Sequence, residues 1–200
     1  MTDQGQKVNV RALVLELLLE VTGGNIYSHV AIRGLLEKYQ YLSKQERAFL
    51  TRAAEGTIER MIELDYIIDQ FSRVPVQKMK PVIRNILRMS VYQLKYMDSI
   101  PDSAVCNEAV KLAQKKGFSS LKGFVNGVLR NIARGMDSIE YPSLSVRYSL
   151  PEWIAEQWMA EYGEETAHKM MKAQYEERPV TVRVNLQRIS SCLLYTSRCV

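Results

Sequence analysis

The chain has 200 residues, 46% hydrophobic and 24% charged, enough for one ordinary domain with a real core, or for one domain and part of another. Its most apolar run, ALVLELLLEV, is interrupted by Glu16 and too short to span a bilayer, and MTDQGQKVNV has no apolar stretch behind a basic region, so neither a membrane span nor a signal peptide is predicted. The net charge of +5 is unevenly placed: residues 73–134 carry 12 Lys and Arg against 3 Asp and Glu, whereas residues 1–72 carry 8 against 10.

In chain order, the first 135 residues read as helices with short breaks. The first helix covers about Val8 to Val21 and stops at Gly23-Gly24; a second runs from about Ser28 to Lys38. A third opens with SKQE, where Ser43 and Glu46 have capping-box spacing, and continues to about Met61. IELDYIIDQF makes a fourth, with Ile62, Tyr66 and Phe71 expected to face inward. Pro81 suits the first turn of a fifth helix ending near Tyr96, and Asp102 or Ser103 is expected to cap a sixth, AVCNEAVKLAQKK. KGFVNGVLRNIAR makes the last, its Phe124, Val125, Val128, Leu129 and Ile132 forming the buried stripe. Six to seven helices with short connections predict a compact all-α domain over residues 1–135.

RGMDSIEYPSLSVRYS is rich in turn formers and reads as a linker, residues 136–148. Ser149 and Glu152 repeat the capping-box spacing with Pro151 between them, and two helices follow, separated by Gly163. In PVTVRVN, Val180, Val182 and Val184 alternate with polar residues, as in a half-buried strand. An α+β domain therefore starts within residues 149–189. The final stretch, residues 190–200 with SCLLYTSRCV, fits neither neighbour and reads as a translated adapter-like tail, excluded from fold reasoning.

Two basic lines run through the positive region. Lys80, Arg84, Arg88 and Tyr92 are four residues apart on the fifth helix, and Lys122, Asn126, Arg130 and Arg134 on the last. Arg clamps phosphate bidentately and aromatic rings give unstacked bases a platform, so two such helices side by side would make a groove suited to RNA. Simple solvation is the alternative for Lys80, Lys122, Arg130 and Arg134. For Arg84 and Arg88 it is pairing inside the bundle, with Glu108 as the candidate. Arg11 is a weaker RNA candidate. Gly123 and Gly127 each cost roughly 1 kcal/mol of helix propensity; close approach of a neighbouring helix is the expected reason, and close approach of an RNA backbone the rival.

No catalytic constellation is readable. Cys106, Cys192 and Cys199 lack metal-ligand spacing, His29 and His168 stand alone, and no glycine-rich loop follows a strand. Cys106 is expected to be a small buried hydrophobe. A reducing cytoplasm is the simple compartment.

The stretches RALVLELLLEV, LSKQERAFLTRAAEGTIERMIELDYIID, IRNILRMSVYQLKYMDSIPDSAVCNEAVKLA and KGFVNGVLRNIAR resemble the NusB-like helical domain, over about Val8 to Arg134. The continuation through YSLPEWIAEQWMAEYGEE into ERPVTVRVN resembles one group in particular, the RsmB (Sun) ribosomal RNA cytosine-C5 methyltransferases. The resemblance implies a NusB-like RNA-binding domain, a small α+β RNA-binding domain, and then a Rossmann-like catalytic domain that uses S-adenosylmethionine and two cysteines to methylate small-subunit ribosomal RNA. None of the three cysteines here matches that pair, so the chain is expected to be the N-terminal, RNA-binding part, without the catalytic domain and inactive alone, binding neither cofactor nor metal. The implied RNA surface is Lys80, Arg84, Arg88, Lys122, Asn126, Arg130 and Arg134. Two other readings stay open: a NusB-like antitermination module binding RNA with a ribosomal protein, and a helical protein-interaction domain.

Overall fold

The computed structural model describes residues 8–24, 26–176 and 183–188. Between Val10 and Gly135 it has seven α-helices, within the expected six to seven. α1 (Val10–Thr22) is capped by Asn9, whose side chain accepts from the Ala12 amide, and ends at Gly23. α2 (Ser28–Lys38) has the predicted bounds, and α3 (Lys44–Glu59) opens with the predicted capping box, Ser43 and Glu46 each accepting from the other's backbone amide. α4 (Met61–Phe71) follows after the single residue Arg60, and α5 (Pro81–Tyr96) starts on its proline. α6 (Asp102–Lys115) is capped by neither Asp102 nor Ser103: Pro101 takes the cap position, without a side-chain bond. α7 (Lys122–Gly135) closes the bundle.

α5 is the axis. It packs against α1, α3, α4, α6 and α7, and every residue from Asn85 to Leu94 is buried. Each fully buried Ile, Leu or Met side chain there contributes roughly 1.5–3 kcal/mol of transfer free energy. The polar groups caught in this enclosure are satisfied from within: Asn85 Nδ2 donates to Thr22 Oγ1 (3.0 Å), Ser90 Oγ to the Ile86 carbonyl (2.7 Å) and Gln93 Nε2 to the Met89 carbonyl (2.8 Å). The Tyr92 ring lies on Gly56 of α3, so close that a Cβ there would come within 2.0–2.3 Å of ring atoms. That glycine is required by packing.

The inward face of α4 differs from the expected one. Glu63, Leu64, Ile67 and Ile68 are buried, Ile62 is 38% exposed, and Tyr66 and Phe71 are only partly covered. The helix is rotated by about one residue because Leu64, Ile67 and Ile68 make a tighter apolar stripe, and because Glu63 finds hydrogen-bond donors on α5.

The expected linker is structured. A 3₁₀ turn (Met136–Ser138) leads to the one-turn helix α8 (Leu144–Arg147), which packs on α4. α9 (Glu152–Tyr162) and α10 (Glu164–Ala173), separated by Gly163, form a hairpin around a small second core of Tyr148, Ala155, Ala167 and Met171. Ser149 does not cap α9, where Pro151 takes the cap position. Its hydroxyl turns back and accepts from the Ile62 amide (3.0 Å) at the start of α4, a helix that has no cap of its own. Of the predicted strand, Val180 and Val182 lie outside the described residues; residues 183–185 run without regular structure, and no strand occurs among the described residues. The expected tail, residues 190–200, also lies outside them.

Gly56→Ala should lower stability by about 1–3 kcal/mol, because the new methyl would push the Tyr92 ring off its seat on α3. Urea denaturation of the two proteins reads this directly as a lower midpoint at unchanged slope.

Candidate nucleic-acid interface

The α5 line does not form an exposed cationic face. Lys80 is exposed at the helix start and Arg84 is half-buried, with its Nε enclosed and without a hydrogen-bond partner among the described residues. Arg88 is 7% exposed and held bidentately by Asp65 of α4, Nε to Oδ1 and Nη2 to Oδ2, both 2.6 Å. Tyr92, the aromatic end of the line, is buried on Gly56. Arg88 is therefore a structural residue, as one of its two expected roles had it, but its partner is Asp65. Glu108 instead pairs with Lys111 at the surface (2.8 Å), and chiefly that bond holds its carboxyl below the ordinary range.

The α7 line is exposed. Lys122, Arg130 and Arg134 reach solvent, Asn126 is half-buried, and none of the three cations is paired with a carboxylate among the described residues. Opposite them runs α6, and the two helices border an open groove of about 470 Å³ lined by Asn107, Val110, Lys111, Lys122, Gly123, Asn126 and Arg130. α6 thus supplies a wall that the sequence reading missed. Asn107, Lys111 and Lys115 are themselves four residues apart, the same signal that marked α7.

Of the two α7 glycines, Gly123 lines this groove. A Cβ built on Gly123 or Gly127 meets nothing within 4 Å, and both residues are exposed. Close helix packing, the expected reason for them, is therefore wrong. They leave a smooth strip of backbone beside three cations.

Arg11 is tied down on the other side of α6. Its Nε donates to Gln93 Oε1 (3.0 Å), its guanidinium sits 4.9 Å from the centre of the Phe49 ring, and burial pulls its pKa below the ordinary value against the opposing charge of Glu108. Cys106 is buried as expected, and burial pushes its thiol up. No group of His, Cys, Asp and Glu able to hold a metal ion occurs among the described residues, and none of their helices is long and apolar enough to cross a membrane.

The NusB family matches residues 8–134, which takes in α1 to α7 almost whole. The chain belongs to the NusB family. Residues 150–194 match a second description, the ferredoxin-like domain of RsmF/B-like methyltransferases, so the NusB bundle is followed by material that has its own family. The chain is 37% identical to the probable ribosomal RNA small subunit methyltransferase B of Bacillus subtilis over 90% of its own length, and it spans 41% of that relative. The two matches, in this order, make the chain similar to the N-terminal part of such RsmB proteins. Among solved structures, PH0851 is similar with a TM-score of 0.64 at 15% identity, covering 96% of this chain and 45% of that one. The antitermination factor complex of NusB and NusE with double-stranded RNA is similar with a TM-score of 0.58 at 21% identity, covering 63% of this chain and 94% of that one. Both likenesses show the fold.

The two basic lines should separate in a stability assay. Arg88→Ala leaves Asp65 without its partner and should cost about 3 kcal/mol. Lys122→Ala and Arg130→Ala, on the surface of the NusB bundle, should stay within about 0.5 kcal/mol of the parent in urea denaturation.

Proposed function

We propose that the chain is the N-terminal RNA-binding part of an S-adenosylmethionine-dependent small-subunit ribosomal RNA (cytosine-C5) methyltransferase, and that it presents ribosomal RNA to a catalytic domain beyond it. The NusB bundle, residues 1–135, is the first RNA-binding domain; residues 136–148 connect it to the start of a small α+β domain, residues 149–189. The observation that carries this reading is the continuation of the family match into residues 150–194, together with the likeness to the Bacillus relative over 90% of the chain.

Within the bundle we assign the RNA surface to the α6–α7 groove. Lys122, Asn126 and Arg130 line one side, with Asn107 and Lys111 facing them; Arg134 continues the same line of α7 beyond the groove, Lys80 and Arg84 of α5 are further candidates, and Arg88 is left out because Asp65 occupies it. Exposed Lys and Arg supply sequence-independent attraction to phosphates. The bare backbone at Gly123 lets a sugar–phosphate strand approach the helix more closely than any side chain would allow.

The described residues do not fit S-adenosylmethionine. Their grooves are open and rimmed by charge, and no strand leads into a glycine-rich turn among them. An antitermination module that binds RNA alongside a ribosomal protein is the second reading, favoured by the likeness of the bundle to NusB in its complex with NusE and RNA. It gives residues 150–194 no role.

Titration of labelled small-subunit ribosomal RNA fragments tests the assignment. Lys122→Glu with Arg130→Glu should weaken binding at least tenfold at moderate salt. The slope of log affinity against log salt should also fall by about one for each phosphate no longer neutralised. Unchanged affinity rejects the groove. Gly123→Ala should act in opposite directions on two measurements. It should stabilise the helix by about 0.5–1 kcal/mol, since nothing obstructs the new methyl, and it should weaken RNA binding.

A further inference from the structure

Residues 135–149 lie between the two family matches, and the contacts they make have no assigned role. They converge on one carboxylate. Glu63, in the first turn of α4, is 2% exposed and accepts from four donors. Lys95 Nζ (2.5 Å) and Tyr141 Oη (2.9 Å) reach Oε1; Tyr96 Oη (2.6 Å) and Arg60 Nη1 (3.2 Å) reach Oε2. Arg60, Lys95 and Tyr96 belong to the bundle, whereas Tyr141 comes from the connecting segment. Tyr141 also hydrogen-bonds Lys95.

Around this point the downstream segment grips the bundle three more times. Ser149 caps the Ile62 amide next to Glu63. Ser149 sits at φ +50°, the one non-glycine residue with positive φ among the described residues, so the surrounding contacts hold it in a conformation an L residue avoids. Arg60 is sandwiched between the rings of Tyr96 and Tyr175, 4.3 and 3.7 Å from their centres, and Tyr175 follows α10. Tyr175 Oη donates in turn to the Tyr148 carbonyl (2.6 Å), and Tyr66 Oη to that of Glu140 (2.9 Å). Burial opposes the charge on Glu63, but the bonds from Lys95 and Tyr96 outweigh it and hold the carboxyl below its ordinary range. Burial and that charge push Tyr96 and Tyr141 up, so both phenols stay protonated as donors.

We propose that Glu63, with Ser149 and Tyr175, forms a rigid joint that locks the α8–α10 segment onto α4 in a single orientation. A flexible linker would need none of these bonds; here Tyr141 Oη, Lys95 Nζ and Glu63 Oε1 bond one another, and Ser149 and Tyr175 fix two further points, so the segment is held in direction as well as in place. Its consequence, that RNA in the α6–α7 groove meets the α8–α10 segment at a fixed angle, rests on the function proposed above. The joint itself does not.

Amide hydrogen exchange on the 200-residue protein without RNA is the test, so failure of the joint and failure of the RNA reading are separate results. Tyr141→Phe with Ser149→Gly removes two of the contacts from outside the bundle and relieves the backbone at residue 149. Exchange in α8–α10 should accelerate at least tenfold, and proteolytic cleavage within residues 136–148 should accelerate with it, while the central amides of α5 and α6 keep their protection. Unchanged exchange in α8–α10 overturns the joint. So does equal acceleration in α5 and α6, which would make these contacts ordinary bundle core. Ser149→Gly alone separates strain from bonding: slower exchange in α8–α10 than in the parent overturns the role given to the Ser149 hydroxyl.

Discussion

A helix enclosed on every side has to satisfy its own polar groups, and α5 is such a helix. Ten consecutive residues, Asn85 to Leu94, are buried, yet Asn85, Arg88, Ser90, Tyr92 and Gln93 among them carry polar atoms. The bundle is arranged around that demand. α1 brings Thr22 to Asn85 and Arg11 to Gln93, α4 brings Asp65 to Arg88, and α3 offers a glycine where the Tyr92 ring must lie. An unpartnered buried polar group costs several times what a made hydrogen bond contributes, so these pairings restrict which helix faces can meet. Dispersion and apolar burial hold the helices together; the polar pairs choose the register.

The same enclosure divides the positive charge into two kinds. Arg88 is positive in the sequence and neutralised in the molecule, because a guanidinium at the centre of the bundle exists only with its carboxylate. Lys122, Arg130 and Arg134 lie on a helix with one free side and keep their charge facing water. The exposed cations of α7 therefore border a groove with α6, one helix removed from the pair the sequence pointed to. The glycines of α7 would be spacers in a packed interface, but against open solvent they are a cost to the helix that packing does not repay.

Beyond Gly135 the molecule changes character without coming apart. Among the described residues the second core is small, with four buried side chains that hardly sustain an independent fold. Its stability is borrowed from α4 through the Glu63 cluster and the Ser149 cap. This accounts for a stretch that composition marks as a linker carrying so many hydrogen bonds: turn-forming residues are also the residues that cap helices, and here the helix capped lies 87 positions earlier in the chain.

What the sequence determined by itself was local. Helix bounds at Ser28–Lys38 and Pro81–Tyr96, the Ser43–Glu46 capping box and the apolar stripe of α7 follow from spacing and propensity, and so were legible from residues alone. The exposed cation line of α7 was legible too, and the matching line on α6 could have been read from the same four-residue spacing. Only the tertiary structure decided which of two equally spaced basic lines faces water, which carboxylate takes Arg88, which way α4 turns, and which helix Ser149 caps. Periodicity states that residues share a side of a helix; it does not state what lies opposite, and burial, pairing and capping across the chain are set by what lies opposite.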